Sequence, residues 1–444
     1  MKERDSFNSE FGLIIAAIGS AIGLGNIWRF PYLVGENGGV FAFAYVAFVI
    51  ALGMPIFIAE LAIGRRTKLN AVAAFRKLAA NSFLSKAGYL QVIGCAFVLS
   101  FYCVVGGWAI YYFYKSLNFS LMGLSAVELQ EIFASFTSST IPHIGTILIF
   151  MLMSVVIVLG GVRNGIERVC KVLMPMLFVL IIVLMVRSLT LEGAQAGLEF
   201  LIYPDFSQLD AHMLSVALGQ ALFSLSIGCG ILTYGSYMRK QDNIVRSSYY
   251  VVFSDTIFSF LAVLAIMPAV FALGFEPTEG PGLVFIVFPE IFSLIAGGGF
   301  LQILFFFALI IAAVTSAISL LETPVAYVLE EWKISRKTAT IIVASAITLV
   351  GICCALSFNE DSSFVFFGKN LFDLVSDVAS TILIPLSAAA VAILIGWKMP
   401  KSDSIDEITN SGQFKSNIIS FFLFILKFVA PLAFIVILVG GIIN

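Results

Sequence analysis

Apolar stretches long enough to cross a lipid bilayer follow one another along almost the whole chain. A transmembrane helix needs about 20 mostly apolar residues. Stretches that approach or exceed this length lie at about 11–34, 41–64, 88–117, 143–161, 168–188, 211–238, 247–272, 299–330, 337–357, 371–397 and 417–440. Because backbone polar groups in lipid must be paired within their own segment, this pattern predicts an all-α integral membrane protein with 11 transmembrane helices.

Composition and charge agree with a membrane environment. Of the 444 residues, 60% are hydrophobic and only 12% are charged, which is too little polar surface for a water-soluble protein. The formal net charge is −2 and no basic run occurs, so we expect the lipid bilayer as a partner and no nucleic acid. The only histidines, His143 and His212, lie near span ends, and the cysteines show no metal-ligand spacing, so an enzyme is not expected.

The charged loops between the apolar stretches predict an orientation. With the N-terminus in the cytoplasm, 20 of the 25 Lys and Arg residues fall in inner segments, three fall in outer loops and two lie within spans. Positively charged loops stay on the cytoplasmic side, so we predict a multi-pass protein of the cell inner (plasma) membrane with a cytoplasmic N-terminus. An odd number of spans places the C-terminus outside.

Glycines and polar residues interrupt two of these stretches. Gly19–Tyr32 reads GSAIGLGNIWRFPY in the first, and Gly219–Tyr237 reads GQALFSLSIGCGILTYGSY in the sixth. Glycine pairs alone favour close helix packing as the explanation. Interruptions five spans apart instead favour two broken helices, which free amides for an anion and carbonyls for a cation at mid-membrane.

Interruptions at corresponding places are typical of an inverted repeat. We therefore predict a single membrane transporter domain over residues 1–444. It contains a 5+5 repeat with interrupted helices 1 and 6. One half covers about 11–188, the other covers about 211–397, and an extra helix follows at about 417–440.

Four motifs give the chain a resemblance to the neurotransmitter:sodium symporter family, and within it to the short bacterial amino-acid transporters. They are GSAIGLGNIWRFPYLVGENGG in span one, GMPIFIAELAIGR at the end of span two, FSLSIGCG in span six and TSAISLLE in span eight. The resemblance covers spans one to ten. Familiar members have twelve spans and this chain has eleven, which leaves the oligomeric state open.

The resemblance implies two Na⁺ sites. The first comprises the substrate carboxylate with Ala21, Asn26, Ser224 and Asp255. The second comprises Gly19, Ile22, Ala312, Thr315 and Ser316. Most of these groups offer neutral carbonyl or hydroxyl oxygens, which a hard cation prefers. An alternative remains for the hydroxyls of the second site, which can bond to carbonyls of the preceding helical turn.

The same resemblance implies a pocket for an amino-acid substrate. The Gly25 amide and the Tyr102 hydroxyl would hold its carboxylate, and the carbonyls of Ala21, Phe223 and Ser224 would hold its ammonium group. The whole pocket comprises Ala21, Leu24, Gly25, Val98, Tyr102, Phe223, Ser224, Ser226, Cys229, Ser316, Ser319 and Leu320. Without the resemblance, Tyr102 would be read as a core tyrosine of an aromatic-rich stretch.

We expect the pocket to accept a large side chain. Family members with a tight aliphatic pocket carry phenylalanine at the position of Cys229, and Ser319 faces that position. One missing large side chain changes selectivity by roughly 1–3 kcal/mol. The expected substrate is therefore a large hydrophobic or aromatic amino acid.

Charged residues on both sides of the pocket resemble gates. Arg29 follows the first interruption, and in the family it pairs with an aspartate of span ten whose position is Ser376 here. Asp377 is adjacent and Asp373 lies one turn earlier, and either acid, or a bridging water, could serve as the partner.

Two further acids are given roles, one at the inner face and one buried in span two. Glu330 resembles the partner of Arg4 in an inner gate pair. Glu60 is a buried acid of span two, and we expect it to hold backbone N–H groups of the broken first helix rather than to carry a proton.

Asp255 is a lone carboxylate in span seven. Chloride-dependent relatives carry asparagine there, with halide ligands that correspond to Tyr45, Gln220, Ser224 and Ser259. A fixed carboxylate beside Na⁺ does the electrostatic work of the halide, and two adjacent anions would repel each other. Transport is therefore expected to need no chloride, and Asp255 is expected to carry a proton on the return step.

These features together predict a secondary active transporter, not an enzyme, that couples inward Na⁺ movement to amino-acid uptake by alternating access. Two alternatives stay open. The first is a proton-coupled amino-acid permease of the same fold. The second is an ion channel, although channels usually repeat a filter around an axis that one chain lacks.

Overall fold

The structure, a computed structural model, describes residues 5–275, 282–359, 362, 364–366, 368–413 and 419–435. Within these ranges the regular structure is helical apart from one short antiparallel hairpin. Its strands are β1 (Val365–Phe366) and β2 (Lys369–Asn370), which pair Val365 with Asn370 and Phe366 with Lys369.

The long helices follow the predicted apolar stretches closely, and shorter helices lie in the segments between them. In chain order they are α1 (Glu10–Ala21), α2 (Gly25–Asn37), α3 (Gly39–Thr67), α4 (Ala71–Leu78), α5 (Phe83–Leu117), α6 (Ala126–Ser138), α7 (Thr140–Leu159), α8 (Val162–Leu189), α9 (Ala194–Ile202), α10 (Ala211–Ser224), α11 (Ile231–Tyr237), α12 (Ile244–Ala272), α13 (Leu283–Leu294), α14 (Gly298–Glu331), α15 (Arg336–Leu356), α16 (Leu371–Lys398), α17 (Lys401–Thr409) and α18 (Ile419–Ile435). A 3₁₀ turn at Phe206–Gln208 precedes α10.

Among the described residues, eight helices are long and apolar enough to cross a membrane, and the pair α1 and α2, bent by 50°, makes a ninth. The predicted sixth span is present as two shorter helices, α10 and α11. The predicted eleventh is α18, which ends where the described residues end. The chain is thus broken at both predicted places, while the count of eleven spans and the inverted repeat stay predictions.

One predicted boundary is wrong. The polar stretch between 143–161 and 168–188, predicted as a link, is helical, because α8 starts at Val162 with a π-helical turn. Gly161 separates it from α7 with a φ of 75°, a conformation that glycine adopts without steric cost. The Asp5 carboxylate accepts the Val162 amide at 3.0 Å and so satisfies one of the free N–H groups at the helix start.

Helices α5 and α14 form the centre of the bundle. They pack against each other more extensively than any other described pair of elements. Of their most apolar segments, 78% and 83% are buried, whereas α7 and α8 bury only 33% of theirs. The central pair therefore carries the interior, and α7 and α8 lie at the periphery.

Helix α3 lies directly against α11, the second half of the broken sixth span. A Cβ on Gly64 would lie 2.2 Å from the Leu232 carbonyl oxygen, and a Cβ on Gly235 would lie 2.7 Å from the Leu61 carbonyl oxygen. Two glycines therefore permit backbone-to-backbone contact. This contact fixes α11 beside the helix that carries Glu60.

Candidate functional site

The first break brings backbone against side chains from three other helices. A Cβ on Gly23 would lie 2.4 Å from the Ser316 Oγ and 2.7 Å from the Tyr102 Oη. A Cβ on Gly25 would lie 3.1 Å from the Phe223 ring. These glycines are therefore needed for close approach, since any side chain would push α5, α10 or α14 away from the break.

The second break covers residues 225–230, between α10 and α11. Ser226 and Gly228 adopt left-handed conformations, with φ of 53° and 78°. Glycine is favoured at such a position because it has no Cβ to clash with the backbone. The Ser226 hydroxyl donates to the Ser20 carbonyl at 2.7 Å, which joins the two breaks directly.

Glu60 stabilises the second break rather than the first. Its Oε1 accepts the Gly228 amide at 2.8 Å and the Gln91 side-chain amide at 3.1 Å. The prediction that Glu60 holds the first helix is wrong, because the contact of Gly64 with α11 brings α3 to the sixth span. Glu60 therefore ties the unwound segment to α3 and α5.

A cavity lies between the two breaks. Ten of the twelve predicted pocket residues line it, all except Leu24 and Ser319. These two adjoin it through hydrogen bonds, because the Leu24 amide donates to the Tyr102 hydroxyl at 3.0 Å and Ser319 accepts from Ser20 at 2.7 Å. The structure thus brings the predicted pocket together around one space, and its binding role stays a prediction.

Four residues that line the cavity were not predicted from the sequence. They are Ser20, Gly23, Ile227 and Ile384. Ser20 and Gly23 lie inside the first motif, and Ile227 lies inside the sixth-span motif. Their position in the broken stretches could therefore have identified them as cavity residues. Ile384 gives no such signal, because it belongs to an ordinary apolar stretch of α16.

Asp255 lies at the centre of a fully buried polar cluster. Its Oδ1 accepts from the Asn26 side-chain nitrogen at 2.8 Å, and its Oδ2 accepts from the Tyr45 hydroxyl at 3.1 Å. The Ser224 hydroxyl lies 3.0 and 2.9 Å from the two oxygens. These partners are all neutral, so the carboxylate is suited to balance a bound cation.

The Asn26 side chain is oriented differently from the predicted ligand. Its nitrogen lies 2.8 Å from both Asp255 and the Ser259 hydroxyl. Its oxygen accepts the Gly23 amide at 2.9 Å. A carboxylate attracts N–H donors, which explains the orientation. For the oxygen to ligate a cation beside Asp255, the amide must rotate by half a turn.

Oxygens from α1 and α14 converge at the predicted second Na⁺ site. The Ser316 Oγ lies 3.4 Å from the Gly19 carbonyl and 3.1 Å from the Ile22 carbonyl. The Thr315 hydroxyl donates within α14, to the Ala312 carbonyl at 3.1 Å. The alternative bond to the preceding turn is therefore present, but a donating hydroxyl keeps lone pairs that can ligate a cation.

Arg29 does not contact a span-ten acid in the described structure. Its Nη1 donates to the Gln220 Oε1 at 3.0 Å, and its guanidinium lies 5.5 Å from the Phe223 ring centroid. The pairing predicted with Asp373 or Asp377 is thus not formed here, because each of these acids has another partner.

Both acids bond to residues of the hairpin β1–β2. Asp377 accepts from the Lys369 ammonium at 2.6 Å, and this hydrogen bond raises the pKa of Lys369. The Asp373 carboxylate accepts from the Asn370 side chain at 2.8 Å. The outer acids therefore face the hairpin, and Gln220 faces Arg29.

Only one residue of the predicted inner gate pair, Glu330, lies among the described residues. Arg4 lies outside the described residues. The Glu330 Oε2 accepts both the backbone amide and the side-chain amide of Asn70 at 2.9 Å, which fixes the start of α4. The pairing of Arg4 with Glu330 stays a prediction.

The model of the sodium:neurotransmitter symporter family matches residues 4–125 and 124–444. The chain belongs to this family. It is 41% identical over 431 residues to YhdH, an uncharacterized sodium-dependent transporter of Bacillus subtilis, with 97% of this chain and 96% of the relative covered. An uncharacterized sodium-dependent transporter of Haemophilus influenzae is 34% identical over 457 residues, with 99% and 98% covered.

A solved structure agrees over the whole length. The crystal structure of MhsT in complex with L-phenylalanine superposes with a TM-score of 0.92 at 41% identity, covering 99% of this chain and 100% of that chain. The resemblance inferred from the four motifs is confirmed. The chain is therefore a membrane protein of a sodium-dependent transporter family, not of an enzyme family.

Replacing Glu60 tests its hold on the second break. Glu60→Leu leaves the buried Gly228 amide without an acceptor, so we expect it to lower stability by about 1–3 kcal/mol. Glu60→Gln keeps an oxygen acceptor and should lose less. Thermal unfolding of the purified variants in one detergent measures the difference. Equal stability of the leucine and glutamine variants would contradict the assigned contact.

Proposed function

We propose that the chain is a sodium-coupled symporter that imports an amino acid, large and hydrophobic or aromatic, by alternating access through eleven helices with a 5+5 inverted repeat. The observation that carries this proposal is the cavity shared by two broken helices, with a buried carboxylate, Asp255, in the polar cluster beside it. The binding of L-phenylalanine by MhsT, a similar protein, supports the substrate class. The protein would lie in the cell plasma membrane with a cytoplasmic N-terminus and an external C-terminus.

The cavity offers both kinds of group that a zwitterion requires. At the first break, the Tyr102 hydroxyl lies beside the backbone around Gly25, where a free amide can hold a carboxylate. Carbonyls at Ala21, Phe223 and Ser224 can hold the ammonium group. Because most of the lining residues are buried, a ligand that lacked either charge would leave buried polar groups unpaired.

The residue at position 229 limits the size of the substrate side chain that the cavity accepts. This thiol lines the cavity and is buried, and Val98 and Leu320 provide apolar walls. A small residue at position 229 leaves room that a phenylalanine would fill. This is the basis for proposing a large or aromatic substrate.

Uptake by proteoliposomes tests both the coupling and the size preference. We expect Na⁺-driven uptake of aromatic amino acids such as tyrosine and phenylalanine in preference to glycine or alanine. Cys229→Phe should reduce aromatic uptake by about 10- to 200-fold, because one large side chain in such a pocket shifts selectivity by about 1–3 kcal/mol. Cys353→Phe, outside the cavity, is the matched control.

Two results would contradict the proposed size preference or the proposed Na⁺ coupling. Glycine or alanine that outcompetes all aromatic acids would remove the proposed size class. Uptake that follows a proton gradient at fixed Na⁺, and does not respond to Na⁺ at fixed pH, would favour the proton-coupled permease, for which the buried Asp255 is the supporting observation.

We assign Na⁺ to two groups of oxygens. The first lies between the break at Ala21, the Ser224 hydroxyl and Asp255, with Asn26 turned to present its oxygen and the substrate carboxylate as a further ligand. The second lies between the carbonyls of Gly19 in α1 and Ile22 just after it and the α14 residues Ala312, Thr315 and Ser316. The substrate carboxylate would thus ligate the first ion directly, which couples the binding of substrate to the binding of Na⁺.

Single substitutions separate the two ion sites. Asn26→Ala should weaken Na⁺-dependent substrate binding about 10- to 100-fold, since losing a partner of a charged group costs about 1.5–3 kcal/mol. Thr315→Ala should weaken Na⁺ affinity and leave selectivity among substrates unchanged. Thr256→Ala removes a similar intrahelical hydroxyl bond and serves as the control. Wild-type Na⁺ dependence in both site variants would refute these assignments.

Asp255 is proposed to replace the chloride ion of chloride-dependent relatives. Three of the four expected halide-ligand positions converge on it, because Tyr45 and Ser224 bond to its carboxylate and Ser259 bonds to its backbone carbonyl. The fourth, Gln220, instead bonds to Arg29 and to the Gly25 carbonyl. A buried carboxylate that loses its Na⁺ is costly, so it would take up a proton for the return step.

Replacing chloride by gluconate on both sides of proteoliposomes tests this proposal. Wild-type uptake should continue unchanged and should depend on internal pH. Asp255→Asn should lose the internal-pH dependence and acquire a requirement for chloride, because the asparagine supplies no negative charge beside the ion. Wild-type uptake that stops in gluconate overturns the proposal.

A further inference from the structure

A second large cleft lies between the end of α16, the start of α17 and α18. It shares no lining residue with the substrate cavity. The two longer helices touch at its floor, where a Cβ on Gly396 would lie 2.8 Å from the Lys427 Cα. The cleft is therefore a built feature of the helix crossing.

Lys427 places a positive charge inside an otherwise uncharged helix. It lies eight residues after the start of α18, or about 12 Å along the axis at 1.5 Å per residue. Its ammonium lies 4.9 Å from the Trp397 ring centroid and 5.5 Å from the Phe428 ring centroid. Cation–π contacts attract the charge without neutralising it. Among the described residues, no carboxylate lies within 4.0 Å of this ammonium.

Lys401 lines the same cleft from the start of α17. It too has no carboxylate partner within 4.0 Å in the described part of the chain. The nearby Asp403 is engaged elsewhere, by Arg66 at 2.6 Å. Two cations that have no carboxylate partner among the described residues therefore line one cleft. A charge at the depth of Lys427 calls for a counter-charge or water.

Aromatic side chains form the rest of the wall. Trp397, Phe424 and Phe428 are about half exposed. The Trp397 indole donates to the Lys427 carbonyl at 2.8 Å, a carbonyl that lies in the π-helical turn of α18. The cleft thus combines an apolar aromatic surface with two cations, which is the complement of an anionic amphiphile.

We propose that this cleft binds an anionic glycerophospholipid. Its phosphate lies between Lys401 and Lys427, and its acyl chains lie along Phe424 and Phe428. In the proposed orientation this end of α16 faces the cytoplasm, where basic pockets between transmembrane helices meet anionic headgroups. The site is separate from the substrate cavity, so its test does not depend on the transport proposal.

Thermal unfolding of the full chain in a neutral detergent tests the site. Phosphatidylglycerol and phosphatidylcholine with identical acyl chains are titrated in parallel, and inorganic phosphate is titrated alone. We expect phosphatidylglycerol to raise the unfolding temperature at a lower concentration than phosphatidylcholine, because a ligand that binds only the folded state stabilises it. Inorganic phosphate, which lacks acyl chains, should have no such effect.

Charge removal identifies the residues. Lys427→Met keeps the aliphatic packing, and Lys401→Gln changes an exposed residue at a helix start. Each should raise the phosphatidylglycerol concentration for half-maximal stabilisation roughly fivefold, and the pair roughly 25-fold. Lys337→Gln removes an exposed lysine from the start of α15 and should leave the preference unchanged.

Four results would overturn the proposal. The first is equal stabilisation by the two lipids, and the second is a double variant that keeps the full preference. The third is lysine-dependent stabilisation by inorganic phosphate alone, which would identify an anion site rather than a lipid site. The fourth is stabilisation that rises with protein concentration instead of lipid concentration, which would point to a second copy of the chain in the cleft.

Discussion

The satisfaction of backbone polar groups in a low-dielectric interior governs this structure. A helix that breaks inside a membrane loses hydrogen bonds that lipid cannot replace. Here the freed groups at the two breaks find side-chain partners from other helices. Tyr102 accepts the Leu24 amide, Glu60 accepts the Gly228 amide, and Ser226 donates to the Ser20 carbonyl. The bundle around the cavity is therefore organised by the partners that the broken helices need.

The freed backbone groups can be paired only if their side-chain partners come close enough to bond. Ser316 and Tyr102 can reach the first break only because position 23 has no side chain, and α3 can bring Glu60 to the second break only because Gly64 permits backbone contact. A methyl group at either glycine would separate a polar group from its partner. Gly23 and Gly64 thus act through the space they leave, whereas Gly228 in the second break also adopts a left-handed dihedral angle.

Much of this arrangement could be read from the sequence, because lipid imposes strong patterns. The predicted bounds of most spans lie within a few residues of the observed helix ends, and paired glycines marked both breaks. The sequence could not place Glu60, since the choice of break depends on a contact between α3 and α11 that no local pattern encodes. It also missed Ile384, which reaches the cavity only through the packing of α16. The span-five start was missed because a polar, glycine-containing stretch reads as a loop, although a single left-handed Gly161 lets the helix resume.

The polar cluster explains how one binding event can depend on another. Ser224 lines the cavity proposed for the substrate and also bonds to Asp255, and the Asn26 amide links that carboxylate to the Gly23 amide at the first break. Placing a cation among these groups would draw oxygens toward it and turn the Asn26 amide. The Gly23 amide would then lose its acceptor and become available to an anion. The carboxylate of an amino acid is an anion that can also reach the cation. Because such coupling is reciprocal, substrate would raise the affinity for Na⁺ by the same factor. A single rotating side chain at the break thus offers a physical link between the ion and the substrate.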